Sequence, residues 1–212
     1  MGAANVISRI TSPVRGRCRI FINNQAGFSC PAVAVERLSL RVGVELTPEV
    51  RQRIEEIMRQ SKCRAAGLRI LAARDHSRAE LAAKLKRRFE ADIVQSVVDD
   101  LAARDVLNDS RFARAKTESS ARRGHHGPAR ALADLQRSGV ADDIAADAVR
   151  GVYGPDQRLA VAFDLARRQV ARLKKLPMQL ACQRLGAMLA RRGFDEEDVR
   201  TVVEKTLGAI ED

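Results

Sequence analysis

The feature that most constrains the fold is an apolar pattern that occurs three times, at intervals of about 50 residues. Each copy has a Leu, then a bulky apolar residue, then Ile or Val, separated by four or five positions. The copies are Leu85, Phe89 and Ile93; Leu135, Val140 and Ile144; and Leu189, Phe194 and Val199. Internal repeats of this length indicate an array of similar modules, which presents a long surface rather than a pocket. The pattern therefore favours a binding protein.

A glycine directly precedes the bulky residue in the second and third copies, at Gly139 and Gly193. This arrangement predicts that each glycine ends one helix and that the apolar residue pins the turn before the next. We expect the repeated apolar positions to form the core, together with Phe112. The residues expected to be buried are Leu85, Phe89, Ile93, Leu135, Ile144, Leu189, Phe194 and Val199.

Residues from about 61 onward are predicted to be helical throughout. The chain is rich in Ala, Leu, Arg and Glu and only 3% aromatic, which is a helical composition. Ser77 to Glu80 forms a capping box, Asn108-Asp109 suits a helix start with Asp109 as the N-cap, and Gly127-Pro128 restarts the chain. The signals predict three units of three helices, at residues 61–109, 110–154 and 155–212.

The segment before the repeats is predicted to be different. Residues 1–15 lack periodicity and are expected to be a flexible basic tail, and 16–60 an extension containing a β-hairpin and a helix. In the hairpin, Arg17 to Cys30, Asn23-Asn24 suits a two-residue turn. Thr47-Pro48 begins a helix expected to end near Arg59, with a separate helix over 62–73. The predicted fold class is therefore all-α, in tandem three-helix repeats with a small N-terminal β-hairpin.

Cysteine spacing does not indicate a metal site. Cys18, Cys30, Cys63 and Cys182 form no Cys-x-x-Cys pair, and the adjacent histidines His125-His126 usually point apart. A tight hairpin would place Cys18 opposite Ser29 and Cys30 opposite Arg17, so we expect no disulfide. No apolar run reaches the ~18 residues needed to span a membrane. We expect a cytoplasmic protein without metal or cofactor.

The formal net charge of +11 suggests a polyanionic partner. The alternative is that the basic residues are solvated helix faces, because four of the clusters lie near predicted helix C-termini, where cations are stabilised anyway. With few aromatic residues, contacts to nucleic acid would be to phosphates and therefore salt-sensitive. The candidate partner- or DNA-binding residues are Lys84, Lys86, Arg87, Arg88, Arg111, Arg114, Arg122, Arg123, Arg167, Arg168, Arg172, Lys174, Lys175, Arg191 and Arg192.

Short helices joined by tight turns are also typical of helix-turn-helix DNA readers. No second or third helix of a unit carries a concentrated set of Arg, Asn and Gln suited to base edges. We therefore favour the interpretation that the three helices of a unit pack together only to form a core, over the interpretation that each unit reads DNA. No arrangement of nucleophile and base indicates catalysis, and we expect no enzyme activity.

The junction between the first two units carries specific motifs. They are the segment His76 to Leu81, then Lys84-Leu85, then the segment Val106 to Ala113. Two further segments support these motifs. One is Arg191-Arg192-Gly193-Phe194, and the other is Gly127 followed by Leu132, Leu135 and Gly139-Val140. Over about residues 66–208 the chain resembles the RecX family, whereas the N-terminal part matches less closely.

The resemblance implies tandem three-helix repeats in a curved, elongated molecule. It also implies a negative regulator that binds the recombinase RecA in the helical groove of the RecA–DNA filament. Such a regulator reduces ATP hydrolysis, strand exchange and stimulated repressor cleavage. The resemblance further implies a modulator rather than an enzyme, and we expect the chain to be a monomer. Two alternatives stay open, a helix-turn-helix regulator acting on DNA directly and an α-solenoid adaptor for an unrelated protein.

Overall fold

The computed structural model describes residues 4–208 and contains a small sheet followed by helices. The strands are β1 (Ile7–Ile10), β2 (Arg17–Ile22) and β3 (Gln25–Pro31). The helices are α1 (Ala32–Arg37), α2 (Pro48–Ala73), α3 (Arg78–Leu85), α4 (Ala91–Ala103), α5 (Asp109–Ser119), α6 (Pro128–Gln136), α7 (Asp142–Val152), α8 (Pro155–Leu173), α9 (Met178–Arg191) and α10 (Glu196–Leu207). A π-helical turn, Ser120–Gly124, follows α5. The predicted fold class is confirmed.

Two compact units share these elements. One contains the chain up to Arg74 together with Ala82–Leu101, and the other contains Asp75–Leu81 together with the chain from Ala102. Within residues 4–208, no helix is long and apolar enough to cross a membrane.

The N-terminal sheet is antiparallel with strand order β1-β2-β3. The predicted turn is confirmed, because Asn23 and Asn24 have φ of 48° and 63° and Ile22 pairs with Gln25. The expectation of a flexible tail is wrong for Ile7–Ile10, whereas residues 1–3 lie outside the described part. A register shift between Ile7 and Arg9 interrupts the alternation of β1, so the sequence shows no period of two. Ile7 is nevertheless fully buried in the core of this unit.

The register predicted for the two hairpin cysteines is wrong. Cys18 pairs with Cys30 rather than with Ser29, because the ladder shifts between Ile20 and Phe21. A Cβ on Gly27 would lie 2.8 Å from the Ile20 carbonyl oxygen, so glycine allows the extra residue to fit. Both cysteines are buried, and burial raises the pKa of the Cys30 thiol. The observed register no longer supports the expectation that Cys18 and Cys30 form no disulfide, and this expectation stays a prediction.

Helix α2 is a single helix of 26 residues, so the predicted break near Arg59 is wrong. Thr47 caps its start, accepting from the Val50 N–H at 3.4 Å, as expected. No glycine or proline interrupts the sequence between the two predicted helices, and nothing forces the chain to turn there. Near its end Gly67 faces Leu101, whose Cδ1 would lie 3.3 Å from a Cβ at that position.

The core of the second unit is lined by α5–α10. Leu135, Leu189 and Phe194 are buried there as expected, with Phe112, and Leu85 and Ile93 are buried in the first unit. The prediction is wrong for Phe89, Ile144 and Val199, which are only partly buried. On α7 and α10 the innermost positions belong instead to Ala145 and Val202, each fully buried. Neighbouring apolar positions on one helical turn differ in depth, and the repeated pattern alone does not rank them.

The turns at the two repeated glycines are confirmed. Gly139 and Gly193 have φ of 70° and 90°, a region that favours glycine. In each turn the following apolar residue, Val140 or Phe194, donates its N–H to the Leu five positions earlier, at 3.2 and 3.3 Å. This is the hydrogen bond of a Schellman turn, and it holds the short connection between two helices.

The structure confirms one of the two predicted helix caps and corrects the other. Ser77 caps α3 by accepting from the Glu80 N–H at 3.0 Å, as expected. Asn108, and not Asp109, caps α5, because its side chain accepts from the Arg111 N–H at 2.8 Å. The Asp109 carboxylate instead accepts from the Arg78 N–H at 2.8 Å and links the starts of α5 and α3. Sequence motifs locate a cap to within a residue but do not show which neighbour takes the long-range bond.

Candidate functional site

The first candidate surface is the turn after α3, with Lys84, Lys86, Arg87 and Arg88; we call it the α3 basic turn. It lies in the first unit. The Arg88 N–H donates to the Leu85 carbonyl at 2.9 Å, so the turn is tight. All four side chains are exposed, and none forms an ion pair within residues 4–208. The turn therefore concentrates positive charge that solvent alone screens, at a helix C-terminus that also stabilises cations.

The cluster of Arg111, Arg114, Arg122 and Arg123 is exposed but partly engaged inside the molecule. Arg111 lies 3.8 Å from Asp75 and donates to the Val106 carbonyl at 3.1 Å. Arg114 and Arg122 share the Glu118 carboxylate at 3.2 and 3.0 Å. These contacts neutralise part of the charge that the sequence suggested for a partner. Arg123 makes no ion pair among the described residues.

The predicted candidate Arg192 is partly buried and belongs to an internal joint. Its guanidinium donates to the Gly124 carbonyl, and its own carbonyl accepts from the Gly127 N–H at 2.7 Å. Its neighbour Arg191, by contrast, is exposed on α9. Arg192 therefore stabilises the chain path after the π-helical turn, a structural role that its sequence position does not reveal.

The adjacent histidines are held in this same region. His125 is buried with φ of 47°, and His126 Nδ1 lies 3.1 Å from the Ser120 hydroxyl. Burial, and then the charge of Arg192, lower the pKa of His126, so the neutral imidazole is favoured at pH 7. Among residues 4–208, no three His, Cys, Asp or Glu side chains cluster closely enough to hold a metal ion.

The third basic cluster lies near the end of α8, with Arg167, Arg168, Arg172, Lys174 and Lys175, all exposed. Arg167 lies 3.5 Å from Asp164, whereas the other four make no ion pair within residues 4–208. The C-terminal end of α8 stabilises cations, so the helix dipole accounts for part of this pattern. A groove with an apolar floor lies beside this cluster.

Between α8 and α9 lies a groove of about 640 Å³, which we call the α8–α9 groove. Its apolar floor includes Leu176, Leu180 and Met188, all partly buried. Arg172, Arg184 and Arg191 line it as exposed cations. The fold brings together Arg172 and Arg191, two predicted residues, with Arg184, which the sequence reasoning missed. The missed signal is a stripe on α9, at 180, 184, 187, 188 and 191, on the face next to the buried Ala181, Leu185 and Leu189.

Three models of RecX domains match the chain in tandem. The first three-helix domain matches residues 63–101, the second 108–149 and the third 156–203. The chain belongs to the RecX family. The family's first domain contains the α3 basic turn, and its third contains the α8–α9 groove.

Individual members of the RecX family agree with this assignment. The chain is 37% identical over 162 residues to the regulatory protein RecX of Mycobacterium ulcerans, covering 74% of this chain and 91% of the relative. It is 32% identical over 142 residues to that of Chlorobaculum tepidum, covering 66% and 86%. A crystal structure of a regulatory protein RecX shares the fold, with a TM-score of 0.86 at 20% identity, over 93% of this chain and 98% of that one. The fold shared with that crystal structure thus extends into the N-terminal part that the three domain models leave out.

Proposed function

We propose that this RecX-family regulator binds the RecA–DNA filament in its helical groove and inhibits the ATPase, strand-exchange and coprotease activities of RecA. The observation that carries the proposal is the tandem match of all three RecX domains, in order, to residues 63–101, 108–149 and 156–203. In this role the chain acts as a cytoplasmic monomer and performs no chemistry of its own.

Charge supports the proposal. The net charge is +11, and the filament carries DNA, which is a polyanion. The α3 basic turn and the cations of α8 make few internal ion pairs among the described residues, so their charge is available to a partner. The DNA contacts expected from such exposed cations are weak and go to phosphates, so they depend strongly on salt.

The test is DNA-dependent ATP hydrolysis by RecA, measured with a substoichiometric amount of the purified chain. We expect hydrolysis to be suppressed, and we expect additional single-stranded DNA not to relieve the suppression. A chain that only competes for DNA, as a helix-turn-helix regulator would, loses its effect when DNA is added. Full recovery of hydrolysis on adding DNA therefore contradicts the proposal and favours that alternative.

Charge reversal tests the assigned surfaces. Replacing Lys86, Arg87 and Arg88 by Glu, or Arg122 and Arg123 by Glu, should weaken inhibition by about tenfold at low salt, since each exposed charge contributes a few tenths of a kcal/mol or more. The matched control replaces the exposed α2 residues Arg51, Arg53 and Arg59 by Glu. Circular dichroism should show unchanged helix content in all three variants. If both site variants inhibit as well as the control at low salt, these clusters are only solvated helix ends.

A further inference from the structure

Two joints inside the second unit share one arrangement of helix and turn. In each, the start of one helix packs on a glycine turn that lies further along the chain. At the first joint, Ser77 donates its hydroxyl to the Ser138 carbonyl at 2.5 Å, and a Cβ on Gly139 would overlap the Cβ of Ala79. At the second joint, the Ala129 N–H donates to the Gly193 carbonyl at 3.2 Å. The start of the second helix of a repeat is therefore a docking face.

Alignment of the repeats leads to a different kind of surface in the third repeat. Ala79 and Ala129 are each the second residue of their helix, six residues before the buried Leu85 and Leu135. The same spacing before Leu189 leads to Gln183, which is the sixth residue of the longer helix α9 and not part of its first turn. Gln183 and its neighbour Arg184 are exposed, and both line the α8–α9 groove. The aligned position of the third repeat is thus open to solvent, on the side of a helix rather than at its start.

The chemistry of the groove specifies its occupant. The apolar floor of the groove suits the side of an amphipathic helix, and it is formed by Leu176, Leu180 and Met188. The charged backbone of a nucleic acid would gain nothing from contact with such a floor. Arg172, Arg184 and Arg191 surround that floor with three exposed cations, which select carboxylates on the helix that enters. An acidic amphipathic helix satisfies both requirements.

A second copy of this chain is a poor occupant. Its glycine turns at Gly139 and Gly193 are already covered at the two joints. The corresponding turn of the first repeat is the α3 basic turn, whose Lys86, Arg87 and Arg88 would face the arginines of the groove. Like charges brought together in this way are repulsive.

We propose that the α8–α9 groove seats an acidic amphipathic helix of the filament protein. The inference rests on the proposed function, because it takes RecA as the partner, and it adds which surface contacts the protein and by what chemistry. The α3 basic turn is then left for the DNA or for other parts of the filament.

A photo-crosslinking residue at Gln183 of the full chain tests the contact. The probes are RecA filaments on single-stranded DNA, the DNA alone, and the chain alone. We expect a crosslink to RecA, mapped by mass spectrometry to a helix or turn rich in Asp and Glu. Crosslinking only to DNA, or only between copies of the chain, overturns the inference. If the chain co-sediments with filaments but Gln183 crosslinks to nothing, the inference fails and the proposed function stands. If the chain does not co-sediment with filaments, both fail.

Two variants separate the charge of the groove from its floor. Replacing Arg184 and Arg191 by Glu should weaken co-sedimentation by about tenfold at low salt. Met188→Gln should weaken it by about fivefold at low and high salt alike, because apolar contacts are not screened. The control is Arg200→Glu, an exposed residue of α10, for which we expect less than about a twofold change. An arginine variant that loses binding to the DNA alone as much as to the filaments shows a phosphate contact and overturns the inference. A Met188→Gln variant that co-sediments like the parent shows that the apolar floor is not contacted, which also overturns it.

Discussion

The two joints of the second unit solve the same packing problem with different atoms. At the first joint, between the start of α3 and the turn after α6, the close approach is made by side chains, with Ala79 against Gly139 and Ser77 bonded to Ser138. At the second, between the start of α6 and the turn after α9, it is made by backbone. Gly127 and Ala129 donate to the carbonyls of Arg192 and Gly193 at 2.7 and 3.2 Å.

This difference teaches which joint can adapt. A side-chain contact is relieved when one side chain is shortened, whereas two backbone segments in contact cannot move without shifting both helices. A Cβ on Gly193 would lie 2.6 Å from the Arg130 Cβ and 3.1 Å from its Cα, and one on Gly127 would lie 2.7 Å from the Phe194 nitrogen. The second joint is therefore expected to be the less tolerant of the two.

Gly193→Ala should have the largest effect. We expect a loss of about 3 kcal/mol or more in the free energy of unfolding, from the positive φ together with the overlap at Arg130. Urea unfolding followed by circular dichroism measures it. The control is Gly151→Ala in α7, because a Cβ at Gly151 would meet no atom within 4 Å. Equal stability of the two variants would show that the second joint does not restrict this backbone.

Gly139→Ala should cost about 2 kcal/mol, because the same positive-φ penalty combines with a contact that a side chain alone makes. Adding Ala79→Gly removes the opposing Cβ and should recover part of the loss. A double-mutant cycle from urea unfolding isolates that coupling. If Ala79→Gly gives no recovery, the first joint is as rigid as the second and the contrast between them fails.

Ser77→Ala should cost about 1–2 kcal/mol, since one hydroxyl both caps α3 and bonds to the Ser138 carbonyl across the joint. Thr47→Ala, measured by the same thermal or urea unfolding, removes a cap without a joint and serves as the comparison. A Ser77→Ala loss no greater than that of Thr47→Ala would mean that the bond across the joint contributes nothing.

Tyr153 provides the smallest and most specific test, at the second joint. The Tyr153 hydroxyl donates to the His126 carbonyl at 2.6 Å, and burial raises the pKa of Tyr153 to about 12. Between about pH 10 and that value the unfolded chain loses the tyrosine proton first, so stability should fall as the pH rises. Tyr153→Phe should abolish this slope and cost about 1 kcal/mol at neutral pH.

The measurement for Tyr153 is direct, because the chain has one tyrosine and no tryptophan. Absorbance near the phenolate band, followed against pH, reports this residue alone. A titration midpoint near the ordinary value of about 10 would show that the hydroxyl is solvated and that the bond to His126 is not formed.

Local signals in the sequence determined the helical repeats. Each of these signals acts over a few residues, so it can be recognised in the sequence without knowledge of the fold. Examples are Leu135 and Leu189 with their glycine turns, the Ser77 cap and the Asn23-Asn24 turn. The RecX assignment followed from such motifs as well. The failures have a different character. The predicted break in α2 was wrong because no stop signal lies there. The register at Cys18 was wrong because of an extra residue at Gly27. The cap of α5 was assigned to Asp109, which instead makes a long-range bond to Arg78.

The candidate surfaces show the same division. Which residues are basic is visible in the sequence, but whether a cation is available depends on distant partners. Only tertiary structure placed Arg111 beside Asp75, used Arg192 inside a joint, and brought Arg172 to the same groove as Arg184 and Arg191. The physical reason is that the charge of a side chain is a local property, whereas its neutralisation, its burial and the apolar floor beside it are set by segments far away along the chain.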